Sequence, residues 1–233
     1  TTDPARSALE RIPAGEADQA LVAAVDKAQC AIKRGVVYSL GQRKAAAAVA
    51  ALGRLAGGKD ADLAADAVIA LGKISGAEAV KVLTGTLGRS ALKSDAASAL
   101  LLAAEGLMRT GDSGAASAIY DKVFAAGVSP VLRQAAFKGK IAFSDDAKGL
   151  ILKTLSVKDA SLFAPALAAV PANFSAGEIG EVGELMARLP EAAKIQLAGV
   201  LAGYPAEAVR PYLLSAAENL SVDVRLASLR SIA

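Results

Sequence analysis

Gly111-Asp112-Ser113-Gly114 has the residue types of a nucleophile site, a serine between glycines beside an acid. Such a hydroxyl needs a base, and histidine, the side chain best suited to take a proton near neutral pH, is absent from all 233 residues. Ordinary catalytic triads and histidine-based zinc sites go with it. The run therefore reads as a turn, with Gly111 ending one helix and Asp112 or Ser113 capping the next. The carboxylate pairs have equally local uses. Glu184 stands four residues before Arg188 for a surface ion pair with Glu181 beside it, and Asp145 and Asp146 sit at a helix start, where the dipole favours negative charge. No phosphate-cradling G-x-x-x-x-G-K-[ST] run occurs. Cys30 is the single cysteine, which excludes an internal disulfide, and its place in an apolar stripe with Ala31 and Val37 reads as packing. The sequence thus assigns no catalytic, cofactor-binding or metal-binding residue, and no cofactor. The expectation is a protein that is not an enzyme.

The elements behind these turns are helices. In residues 60–91, Leu63, Val68, Leu71 and Ile74 recur at helical spacing behind Asp60, an acceptor for the free N–H groups of a first turn. Gly76 is expected to close that helix in the left-handed region, and a second stripe runs through Val80, Leu83 and Leu87. A turn this short makes the two helices antiparallel. Neither hides its apolar stripe alone, so the pair must pack on further pairs.

The chain supplies them. Ala77-Glu78-Ala79-Val80-Lys81 matches Ala206-Glu207-Ala208-Val209-Arg210 at a separation of 129 residues, which is four periods of about 32. An apolar residue near the end of each first helix recurs at Leu40, Leu71, Leu107, Ile141, Val170, Leu201 and Ile232, in steps of 31, 36, 34, 29, 31 and 31. This predicts a single all-α domain over 1–233: capping helices in 1–26, helix pairs in 27–58, 59–91, 92–127, 128–157, 158–188 and 189–219, and an unpaired last helix or cap in 220–233. Asp3-Pro4 opens a short first helix that Pro13 ends, Gly41 closes a helix, and Arg43 to Leu55 forms the next. Pro165 inside Ala160–Val170 predicts a kink, with Pro171 following, and Ser175 with Glu178 forms a capping box for the helix after it.

Pro130-Val131-Leu132-Arg133-Gln134-Ala135-Ala136 and Val222-Asp223-Val224-Arg225-Leu226-Ala227-Ser228 resemble the first-helix pattern of the HEAT-repeat family, and Val68-Ile69-Ala70-Leu71-Gly72 resembles its end. The resemblance covers roughly residues 14–233 and implies a right-handed α-solenoid of about six to seven helix pairs. It also implies that second helices line an inner curve, which would put Arg43, Lys44, Lys81, Lys122, Lys148 and Lys153 on a basic half and Glu178, Glu181 and Glu184 on an acidic fifth unit. Tyr120, Arg210 and Tyr212 join them as contact candidates, because aromatic and arginine side chains carry large contact area and directed hydrogen bonds. Tyr212 also suits a packing role, at the position Leu83 fills in the second pair. The expected function is a protein-binding scaffold, monomeric, whose inner face holds a partner protein. Alternatives within HEAT-like proteins are a nucleic-acid binder such as the alkyl-base DNA glycosylases, the bilin lyases, and a structural spacer of a larger polypeptide. The glycosylases use tryptophan and other aromatics with an acidic residue, whereas this chain has no Trp and no aromatic cluster along one inner face, so nucleic acid is not the expected partner.

Composition fits close helix packing: hydrophobic residues make up 54% of the chain and aromatics only 4%. The 26 basic and 23 acidic residues are spread along it, for a net charge of +3. The longest uncharged run, Ala160 to Gly177, holds Pro165, Pro171, Asn173 and two serines, so no transmembrane segment is expected. Thr1 stands where an initiator Met would, which reads as processing or trimming. Export after signal-peptide removal is consistent with it, and the compartment stays open.

Overall fold

The computed structural model describes residues 8, 11, 12, 15–157, 159–218 and 221–232, with the backbone alone for Cys30 and Ala31. The packing expected of the Cys30 side chain and most of the helix expected after Asp3-Pro4 lie outside the described residues. What is described is helical, with no strand among the described residues. The helices are α1 (Glu16–Lys27), α2 (Cys30–Gln42), α3 (Val49–Ala56), α4 (Ala61–Ile74), α5 (Ala77–Thr86), α6 (Lys93–Arg109), α7 (Ser113–Ala125), α8 (Pro130–Ala142), α9 (Ala147–Ser156), α10 (Ala160–Asn173), α11 (Gly180–Gly183), α12 (Glu191–Leu201), α13 (Ala206–Ala217) and α14 (Val222–Ile232). Short 3₁₀ turns at Ala46–Ala48, Ser90–Leu92 and Glu184–Ala187 adjoin α3, α6 and α11. No helix is long and apolar enough to cross a membrane among the described residues.

Two compact units divide the chain, residues 1–136 and 137–233, with the boundary inside α8. In the first, α4 packs against α2, α3, α5 and α6, and α6 packs in turn against α5 and α7. Asp60 begins α4 by accepting the Leu63 N–H at 3.1 Å, and Ala64, Ala67, Val68, Leu71 and Ile74 are buried along its stripe. Burying one leucine such as Leu71 stabilises by about 1.5–3 kcal/mol, and most of the helix's stability comes from that packing. The left-handed residue that ends α4 is Ser75, at φ 55°, and not Gly76, which is extended and opens α5. Ser75 lies against α6, where a Cβ on Gly106 would come within 2.5 Å of its Oγ, so packing on α6 holds the serine in a conformation glycine usually takes.

Glycine has a second use here that differs from stopping helices. α2 runs past Gly41 to Gln42 because a Cβ at that position would meet the Ala70 Cα of α4 at 2.9 Å; bare backbone lets the helices approach. Gly72 of α4 faces Ala99 of α6 in the same way: a Cβ there would lie 2.7 Å from the Ala99 carbonyl oxygen. The helix expected from Arg43 starts later. Arg43 and Lys44 form a turn, with Lys44 at φ 53°, and the chain enters α3 through Ala46–Ala48.

The second unit is capped alike. Asp146 accepts the Gly149 N–H at 2.8 Å and opens α9, and Asp159 accepts the Ser161 N–H at 3.1 Å and opens α10. α10 continues through Pro165 and two residues past Pro171. Proline at 171 removes one N–H, but Asn173 Nδ2 donates to the Ala169 carbonyl at 2.7 Å and the Phe174 N–H to Val170 at 3.0 Å. The Tyr204 hydroxyl adds bonds to the Val170 and Phe174 carbonyls, so the last turn is held by its neighbours. The helix expected from Ser175 is instead a turn, then the four residues of α11, then the 3₁₀ turn. Half of the capping box forms: Glu178 accepts the Ser175 N–H at 3.0 Å, but the Ser175 hydroxyl donates to the same carboxylate at 2.7 Å and accepts no helix N–H from it. Glycines 177, 180 and 183 weaken a regular helix here, each by about 1 kcal/mol relative to alanine.

Candidate functional site

The contact candidates fall into three environments. Lys81 on α5, Lys122 on α7, Lys153 on α9, Glu181 on α11, Glu184 in the following 3₁₀ turn and Arg210 on α13 are all exposed. Lys81, Lys122, Lys153 and Arg210 form no ion pair among the described residues. They are charged heads on helical stems, free to meet an acidic surface.

Tyr120 and Tyr212 are placed for packing. Tyr120 is only 8% exposed, which withdraws its ring from an exposed contact surface, and burial followed by the nearby Glu105 carboxylate pushes its phenol pKa up. Tyr212 is half-buried, its ring flat against the glycines of α11. A Cβ on Gly183 would lie 2.5 Å from Tyr212 Cδ2, and one on Gly180 would lie 2.9 Å from the hydroxyl. The second use foreseen for Tyr212 is therefore the one its surroundings serve.

Lys148 is bound to a partner already. Its ammonium donates to Glu178 Oε1, tying α9 to the turn that follows α10. That hydrogen bond, then those from Ser175, lowers the Glu178 pKa to about 2. Arg43 is likewise structural: its guanidinium pairs with Asp18 of α1 at 2.5 Å and donates to the Ile12 carbonyl at 2.7 Å. On the first helices, Arg34 of α2 pairs with Asp66 of α4 at 2.5 Å and lies 3.7 Å from Asp62. Lys73 sits 4.8 Å over the Tyr38 ring. Arg34 and Lys73 are thus both engaged by groups on the neighbouring helix.

Gly111 to Gly114 forms the turn its residues imply. Gly111 takes φ 88° and the Asp112 carboxylate accepts the Ala115 N–H at 3.0 Å, which uses the acid as a cap and leaves Ser113 as the first residue of α7. Among the described residues no group of three or more acidic, cysteine or histidine side chains gathers where it could hold a metal ion.

One feature of the second unit gave no signal in the sequence. A cleft of about 700 Å³ lies where the end of α9, the start of α10, the segment 188–190 and the start of α12 meet. Leu155 and Ala193 are its buried apolar members, Phe163 and Leu189 are half-buried, and Val157 is 55% exposed; Arg188, Asp159 and Gln196 are its ionic and amide side chains. Its residues come from four segment ends.

Fold and surface together define an all-helical protein of neighbour-packed helices, with no group of side chains gathered to hold a metal ion among the described residues. No family model matches the chain, and no curated protein matches it either.

Proposed function

We propose that this protein is a non-enzymatic binding scaffold of HEAT-like helix pairs, an α-solenoid by type, which holds a partner protein through exposed side chains of its second helices. The observation that carries the reading is that Lys81 and Lys122 stand exposed on second helices without an ionic partner among the described residues. Unpaired lysines on rigid helices steer an acidic partner and set its register more than they add affinity. The packing of helices on next and next-but-one neighbours within each unit supports the same reading, because repeat scaffolds are built that way.

The test is capture from a native extract by the wild-type chain and by Lys81→Glu/Lys122→Glu, with and without nuclease. A protein retained by the wild type and lost by the variant, at unchanged helicity by circular dichroism, is the expected result. Equal retention by both would sink the second-helix face. Retention abolished by nuclease would turn the reading toward nucleic acid, whose binding falls steeply with salt.

A further inference from the structure

Helix α14 buries one side and leaves an apolar row on the other. Val224 and Ser228 are buried where the helix packs on α12 and α13. Away from that packing, Val222, Leu226 and Leu229 are 56%, 44% and 52% exposed, and their spacing of four and then three residues sets them in one row along the helix. No other helix leaves three large apolar side chains exposed in one row among the described residues. Such a row is surface that a partner covers. Asp223 in the first turn and Arg230 in the last stand seven residues apart, two helical turns, and so share one flank of the row. Both are exposed, and neither forms an ion pair among the described residues. Arg225, on the opposite flank, is half-buried and already engaged.

We propose that α14 is a self-association surface, pairing antiparallel with α14 of a second copy of this chain. The charges select that occupant. A twofold axis at Leu226 turns the helix end for end, which lays Val222 beside Leu229 of the second copy and Leu226 beside its own equivalent. Antiparallel helices meet with the same flank on the same side, so the acid and the base that share a flank in one chain become two ion pairs between chains, Asp223 with Arg230 in each direction. A partner of a single charge sign would instead meet either Asp223 or Arg230 with a like charge. Three apolar side chains from each copy make a small contact, so the dimer is weak, with a Kd on the order of 100 μM. The inference departs from the monomer expected from the sequence. It does not rest on the scaffold reading, whose Lys81 and Lys122 lie in the other unit.

The test is sedimentation velocity on the full chain from about 10 μM to about 1 mM, a range that brackets such a constant. The wild type is expected to move from monomer toward twice its mass as concentration rises. Leu226→Glu sets two carboxylates against each other at the twofold axis, and it should stay monomeric while circular dichroism keeps the wild-type helicity. Val131→Glu, at an exposed valine of α8, should dimerise as the wild type does. Asp223→Arg and Arg230→Asp should each weaken the dimer about tenfold or more, because each turns both ion pairs into like-charge contacts. Mixed in equal amounts the two variants should recover it, since their hybrid holds an acid opposite a base at both places. A wild type that is monomeric throughout, even one that captures a different protein on this row, would overturn the inference. So would a dimer that Leu226→Glu leaves intact, or a mixture no stronger than its two components. Capture through Lys81 and Lys122 is read separately, so failure of the dimer and failure of the scaffold are told apart.

Discussion

Glu178 answers to three donors, the Lys148 ammonium and the hydroxyl and N–H of Ser175, and together they hold its carboxyl near pKa 2 against an ordinary value of 4.5. Because the folded value lies below the unfolded one, the pairing contributes to stability above the ordinary carboxylate range and loses that contribution as pH falls toward 2. Carboxyl NMR should therefore show Glu178 titrating well below the ordinary glutamate value of 4.5. Lys148→Met should move its midpoint up toward 4.5, and salt should do so in part, since both side chains are substantially exposed. A Glu178 midpoint that Lys148→Met leaves unchanged would show that the serine, not the lysine, controls it. The same contact changes how Lys148 can be used as a probe. Lys148→Glu would set two carboxylates against each other at the start of α9, so a loss of binding in that variant would report on a local fold change. Lys81 and Lys122, with no ionic partner among the described residues, are clean probes where Lys148 is not.

The helices approach through glycine, and this is the element-scale feature that periodicity could not foretell. Gly72 lets α4 meet α6 with the Ala99 carbonyl oxygen 2.7 Å from where a Cβ would sit, so Gly72→Val must push the helices apart. The expected cost is about 1–3 kcal/mol from overpacking, read as a lower urea midpoint; a midpoint equal to wild type would mean the seam yields freely. Tyr212 and α11 give a paired case. Gly183→Ala should destabilise through its clash with the Tyr212 ring, and the damage should be smaller when Tyr212 is already alanine, which a double-mutant cycle in urea measures. Additive costs would remove the contact. Caps at Asp60, Asp112 and Asp146 and the stripes of α4 and α5 were legible in the sequence, because a carboxylate before a 3.6-residue repeat has a local meaning. Gly41, Gly76 and the box at Ser175 were read by the same local rules and differ in the structure. At Gly41 the Ala70 backbone across the helix pair decides, at Ser75 the surface of α6, and at Ser175 the glycines of the turn and the Lys148 ammonium that shares the Glu178 carboxylate. The lysines could be placed on second helices from their spacing. Whether each had a partner depended on residues about thirty positions away, as Lys148 and Glu178 illustrate, and the cleft joins residues 155–164 to 188–196 in the same manner.

At the scale of the whole molecule, the helix contacts within each unit are between a helix and its next or next-but-one neighbour along the chain. Stability in such a chain is a sum of local terms and neighbour interfaces, so a defect should spread only as far as the interfaces it touches. Leu71 and Leu197 are both wholly buried, one on α4 and one on α12, and offer matched defects in the two units. Either change to alanine should cost about 2–5 kcal/mol at its own site. Native-state hydrogen exchange should then report two separate footprints. Leu71→Ala is expected to speed exchange in α2 to α6, the helices that pack on α4 and on one another, and to leave α12 to α14 close to wild type. Leu197→Ala should speed exchange in α10 and α12 to α14 and spare α4. Equal acceleration everywhere in both variants would mean that the chain opens as one cooperative body, and the description by neighbour interfaces would have to be given up. The outcome also bears on binding. If defects stay local, Leu71→Ala should weaken capture through Lys81, the exposed lysine of α5, which packs directly on α4.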